Sequence, residues 1–145
     1  MTKKAWRSSM ILALLLAAAF VCYRWWRLHS GVNFVHYAAF GIDMPVNYSM
    51  HGIDVSKFQQ DINWMAVGQM QVEQVKISFA FIKATEGTTR QDASFKRNWA
   101  KCREAGVIRG AYHFFYATRD PLKQAINFRN VVNLESGDLP PVLDI

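Results

Sequence analysis

Seven polar side chains fall where short apolar segments end: Asp54, Ser56, Lys83, Glu86, Tyr112, His113 and Asp144. Carboxylates stand out in this set, and a carboxylate can hold a proton, release it or stabilise positive charge. Other chemistries fit less well. The histidines at 29, 36, 51 and 113 form no compact metal motif, so neither a metal nor a cofactor is expected. Cys102 falls with Phe95 and Trp99 at i, i+4 and i+7 of a helical pattern. That places the thiol in a core and not at a reaction centre.

The elements that must carry these groups alternate. Residues 52–56 read as a strand, residues 61–71 as a helix with Ile62, Met65 and Met70 inward, and residues 78–84 as a buried strand. A polar loop is expected at 85–89 and a helix at 92–104, closed by Gly106. Residues 107–116 read as a third strand with a break at Gly110. Asp120 and Pro121 open the next helix as cap and first residue, and it carries Leu122, Ala125, Ile126, Phe128 and Val132. Residues 141–145 read as a fourth strand. The order β-α-β-α-β-α-β predicts an α/β fold with a parallel sheet and its helices outside. In such folds ligands sit at the carboxyl ends of the strands, where the seven polar residues lie. Tyr112 and His113 must face opposite ways; the expectation is Tyr112 inward and His113 packed. Lys83 is expected to be a buried partner for a carboxylate.

The chain has 145 residues, and only 19% are charged, which excludes a charge-rich disordered chain. The net charge of +6 suggests nucleic acid, but Lys3, Lys4, Arg7, Arg24 and Arg27 supply five of those charges. The remainder has 12 basic and 11 acidic side chains, so no nucleic-acid partner is expected. Residues 10–23 carry no charge, and Trp25 and Trp26 follow. The reading is a signal anchor over residues 1–27, with its basic N-terminus on the cytoplasmic side. The alternatives are a secretory signal cleaved near Ala17-Ala18-Ala19 and a buried core helix. Residues 28–49 read as a juxtamembrane connector without sustained period; Phe34, Val35, Tyr37 and Phe40 are expected to pack partly against the domain at 50–145. The chain stops inside the fourth strand, after Asp144-Ile145, so a truncated domain is expected.

Four segments together resemble glycoside hydrolase family 25, the Chalaropsis-type lysozymes or N-acetylmuramidases. They are His51-Gly52-Ile53-Asp54-Val55-Ser56 with Gln59, Ile62 and Trp64; Phe81-Ile82-Lys83-Ala84-Thr85-Glu86-Gly87; Gly110-Ala111-Tyr112-His113-Phe114-Phe115; and Leu139-Pro140-Pro141-Val142-Leu143-Asp144-Ile145. The resemblance implies an incomplete TIM-like (β/α) barrel after a transmembrane helix, and hydrolysis of β-1,4 bonds between N-acetylmuramic acid and N-acetylglucosamine in peptidoglycan. It also implies that Asp54 and Asp144 are catalytic carboxylates, and that the general acid is a Glu following Ile145. Glycosidases commonly pair two carboxyl groups, one held protonated and one charged. Tyr112 and Glu86 are expected to bind substrate. Simpler roles remain for three of these: Asp54 as a turn cap, Asp144 as a loop cap, and Glu86 as a solvent-facing loop acid. The expected partners are peptidoglycan glycan strands and the bacterial inner membrane, crossed once with the catalytic part outside; the alternative is secretion after cleavage. A monomer is expected. A second functional reading is an inactive fragment or cell-wall binding protein with a partial glycan cleft.

Overall fold

The computed structural model describes residues 3–29, 31, 34–38, 41–45, 47–72 and 75–145. They fall into two compact units, Met1–Asn47 and Tyr48–Ile145. In the first, α1 (Lys3–His29) is a helix of 27 residues with no acid in its first turn. Its stretch Ser9–Leu28 is 20 residues long and apolar enough to cross a membrane by length and composition. At about 1.5 Å per residue that spans roughly 30 Å, the thickness of a hydrocarbon core. A hairpin follows, β1 (Phe34–Tyr37) against β2 (Ile42–Pro45). His36 Nδ1 lies 2.8 Å from Asp43 Oδ1 across it. The hairpin corrects the expectation of an irregular connector, because strands of four residues are too short to display a period. Phe40 of that connector lies outside the described residues.

The second unit opens with β3 (His51–Val55), a 3-10 turn (Lys57–Gln59) and α2 (Trp64–Gln69). Then come β4 (Gln71–Val72), β5 (Val75–Glu86), β6 (Arg90–Gln91), α3 (Phe95–Glu104), β7 (Ile108–Phe114), α4 (Pro121–Val131) and β8 (Val142–Asp144). Strands β3, β5, β7 and β8 are parallel in that order, with β4 and β6 paired antiparallel to the two ends of β5. The sheet is open, one half of a (β/α) barrel.

The helices pack on one face of this sheet. Ala80, Ile82, Ala84 and Ala111 present small or flat surfaces there, and Trp64, Phe95 and Cys102 close over them. Cys102 is fully buried as expected, and burial pushes its thiol up to about 12, so it stays protonated and inert. The opposite face carries Asp54, Phe79, Phe81, Lys83 and Tyr112, following the two-residue alternation of strands. Gly52 stands beside Phe79, and Gly110 beside Phe81. A Cβ at either glycine would overlap the neighbouring ring. Gly110 therefore gives room to an aromatic ring; it does not break β7, which runs straight through it.

Three boundaries also differ from expectation. The helix expected over 61–71 is confined to Trp64–Gln69, because Asn63 caps it and Met70 is already extended. Trp64 is its buried residue, while Met65 is 59% exposed. The loop expected from residue 85 begins at 87, because Thr85 and Glu86 still pair with β7. The helix expected from 92 begins at Phe95, because the Asp92 carboxylate accepts from Ser94 N–H at 2.9 Å and forms a turn. At the amino end of β7, Arg109 is buried and holds Asp138 with an Nε–Oδ1 distance of 2.7 Å. Its guanidinium also lies 4.0 Å from the Trp99 ring centroid, and its carbonyl accepts from Leu139 N–H at 2.8 Å.

Candidate active site

The carboxyl ends of the four parallel strands bring the expected residues together unevenly. Asp54 (β3), Phe81 (β5), Tyr112 (β7) and Asp144 (β8) line one open cavity of about 240 Å³. Asp54 stands beside Phe81, Tyr112 beside Val142, and Asp144 beside Phe114. Both carboxylates are exposed, so the two charges meet water over an aromatic floor. The turn after β3 is capped by Ser56, whose hydroxyl accepts from Phe58 N–H while Gln59 Oε1 accepts from Ser56 N–H at 2.8 Å. That capping box leaves Asp54 out of the turn. The carbonyl of Asp144 accepts from Phe115 N–H at 2.7 Å, which fixes the end of β8 against β7.

Tyr112 points into this cavity and His113 away from it. Burial first, and then the charges of Asp54 and Asp144, push the Tyr112 phenol up to about 12. The phenol keeps its proton at neutral pH and offers an O–H donor beside two acceptors. His113 is buried on the helix side. Gln124 Oε1 accepts from Tyr116 N–H at 2.9 Å, so it acts as an acceptor toward His113 Nε2 at 3.2 Å too. Nε2 then donates to Gln124, and Nδ1 lies 2.7 Å from the Thr85 hydroxyl.

Glu86 lies at the end of β5 with both oxygens engaged. Lys83 Nζ donates to Oε2 at 2.6 Å, and Tyr116 Oη and Arg90 Nη1 approach Oε1 at 2.5 and 3.3 Å. These bonds, Lys83 foremost, pull its carboxyl down to about 2 against the cost of burial. Glu86 is therefore a fixed negative charge and not a proton donor near neutral pH. It lines two further cavities, one with Lys57 and Asp92 and one with Thr88 and Arg119. Among the described residues no group of His, Cys, Asp and Glu could hold a metal ion.

Sequence reasoning missed Tyr116, Gln124 and Asn127. The buried positions of α4 are the two amides, not its apolar residues. Gln124 Nε2 donates to the carbonyls of Tyr116 and Arg119 at 3.0 and 3.3 Å, and Asn127 Nδ2 to those of Gly87 and Arg90 at 3.0 and 3.1 Å. The available signal was their spacing of three, which sets both on one side of the helix.

Comparison with known proteins agrees with this architecture. The family model described as Glycosyl hydrolases family 25 matches residues 53–145. The uncharacterised protein YegX of Escherichia coli (strain K12) is 45% identical over 107 residues, 74% of this chain and 39% of that protein. Lysozyme M1 of Streptomyces globisporus is 49% identical over 65 residues, 45% of this chain and 20% of that protein. The structure of a family 25 glycosyl hydrolase from Bacillus anthracis superposes with a TM-score of 0.63 at 33% identity, covering 78% of this chain and 46% of that one. The chain spans less than half the length of each of these three proteins.

Proposed function

This chain belongs to glycosyl hydrolases family 25, and from that premise we propose that it contributes the first four barrel strands of a muramidase. The bond cleaved is the β-1,4 link between N-acetylmuramic acid and N-acetylglucosamine in peptidoglycan. The observation that carries this reading is the convergence of Asp54, Tyr112 and Asp144 over Phe81 at the carboxyl ends of parallel strands. Cleavage requires a proton on the leaving oxygen and negative charge near the oxocarbenium-like carbon. Asp54 and Asp144 supply the charge. Tyr112 donates a hydrogen bond to a sugar oxygen or N-acetyl group, and Glu86, with its Lys83, Arg90 and Tyr116 partners, binds substrate from the separate cavities it lines at the end of β5. The proton donor is the Glu that the family pattern places two residues after Asp144. Strand alternation would set it on the same face as Asp144, whose charge would raise its pKa.

Helix α1 anchors the enzyme in the bacterial inner membrane in this reading, with the catalytic unit on the periplasmic or outer side. Lys3, Lys4 and Arg7, which precede its apolar stretch Ser9–Leu28, support that orientation. Secretion after cleavage predicts a shorter mature chain, which intact-mass measurement distinguishes from an anchored one.

The test is a chimera in which residues 48–145 replace the matching part of Lysozyme M1, so that a complete barrel surrounds them. Release of reducing ends from peptidoglycan, abolished by Asp54→Asn and by Asp144→Asn, is expected. A folded chimera that stays active with both aspartates replaced would sink the mechanism. A second reading is glycan binding without hydrolysis through the partial cleft of Asp54, Phe81, Tyr112 and Asp144. It predicts that residues 1–145 cosediment with peptidoglycan and release no reducing ends.

A further inference from the structure

The carboxyl end of the sheet carries a second polar cavity, of about 340 Å³, lined by Glu86, Thr88, Arg90, Tyr116, Thr118 and Arg119. Its walls are the turn after β5 and the loop between β7 and α4. One helix holds both from beneath. Asn127 binds the carbonyls of Gly87 and Arg90, and Gln124 those of Tyr116 and Arg119. Helix α4 keeps these amides inside while Leu122 and Ile126 remain 68% and 48% exposed. Buried amides are costly unless fully bonded. Here their bonds go to loop carbonyls, which fixes two irregular segments as rigid walls, the condition for a preorganised binding site. Gly87 adds to this. Its φ of +56° closes the turn, and the Tyr116 ring of the opposite wall occupies the place of a Cβ.

The charge of these walls selects the ligand. The Glu86 carboxylate is already satisfied by Lys83 and Tyr116, and Arg90 sits against it. Arg119 has no carboxylate partner among the described residues, and it is exposed and lines the cavity together with Thr118. Two arginines and several hydroxyl-bearing residues thus line a cavity whose one acid is already bonded to Lys83, Arg90 and Tyr116. A guanidinium with neighbouring hydroxyl donors is suited to a carboxylate.

We infer that this cavity is a carboxylate subsite that takes an acidic group carried by the muramyl residue while the glycan lies along the Asp54–Asp144 cleft. The inference rests on the glycan reading above. Stem-peptide carboxylates and the bare lactyl carboxylate share the required chemistry, and their relative affinities tell them apart.

The experiment is equilibrium binding by the full chain in detergent micelles to three tetrasaccharides. One is an uncharged N-acetylglucosamine oligomer, one a peptide-free peptidoglycan fragment with lactyl carboxylates, and one the same fragment with stem peptides. Carboxylate-bearing ligands are expected to bind about tenfold more tightly than the uncharged one. That ratio should fall toward one in Arg119→Gln, persist in Arg119→Lys, and shrink as salt is raised. Equal affinity for charged and uncharged ligands, or a preference that Arg119→Gln leaves intact, overturns the subsite while the glycan cleft stands. Binding of none of the three overturns the glycan reading and the subsite with it.

Discussion

Lys83 Nζ lies 2.6 Å from Glu86 Oε2 although the two residues are three apart on one strand. A regular strand would send them to opposite faces. The β5–β7 register shifts between Lys83 and Thr85, leaving Ala84 as an extra residue. This bulge returns Glu86 to the face that carries Lys83. The pair is largely shielded, with side-chain exposures of 11% and 19%, so its bond weighs more than a surface ion pair.

The first prediction concerns acid. The Glu86 carboxyl is held at about 2, below its ordinary 4.5. A depressed folded-state value means that the stabilisation is fully present above pH 4.5 and is lost as pH falls toward 2. Glu86→Gln removes that dependence. Urea unfolding of the two proteins should differ by up to about 3 kcal/mol more at pH 5 than at pH 2. A difference independent of pH would show that the pair does not set this behaviour.

Gly52→Ala and Gly110→Ala should each cost about 1–3 kcal/mol, because a methyl group would overlap the rings of Phe79 and Phe81. Combining Gly110→Ala with Phe81→Leu should recover part of the loss. Thermal melts of the four proteins in that cycle measure the coupling, and additive losses would count against ring overlap as the cause.

Gln124→Leu strands the Tyr116 N–H and the Tyr116 and Arg119 carbonyls that its amide satisfies. About 1–3 kcal/mol of stability should be lost. The sharper readout is hydrogen exchange at the Tyr116 amide, which should accelerate more than exchange within β7. Uniform acceleration would mean that the amide serves global stability and not the loop.

Ultraviolet titration of the phenols should leave Tyr112 protonated past pH 11, since burial and the two aspartates hold it at about 12. Asp54→Asn should lower that value by removing a nearby negative charge. A Tyr112 that ionises near 10 in both proteins would place it in open water.

The alternation of strands and helices was legible in the sequence because each core strand is a short apolar run and Asp120-Pro121 marks the start of α4. Tyr112 and His113 could be sent to opposite faces by parity alone. Parity failed one strand over. The extra residue at Ala84 leaves no mark in composition, so the pattern predicts a loop where Glu86 still belongs to the strand. Gln124 and Asn127 escape the pattern for a related reason: sequence patterns rank burial by apolarity, whereas α4 buries amides whose partners are backbone groups of distant loops. The β1–β2 hairpin has strands of four residues, too few to separate alternation from chance.

The buried pair of Arg109 and Asp138 sits at the opposite end of the sheet from the aspartates, yet it bears on where one of them stands. It pins the chain at Asp138 and Leu139, and Asp144 follows Leu139 by five residues, the last three of them strand β8. At about 3.3 Å per residue this is a ruler of at most roughly 17 Å whose zero mark is the Arg109 guanidinium. Slippage at the zero mark would be read at the far end as a carboxylate at the wrong height above the aromatic floor. Arg109 therefore belongs to the dimensional tolerance of the cleft, although it touches nothing in it.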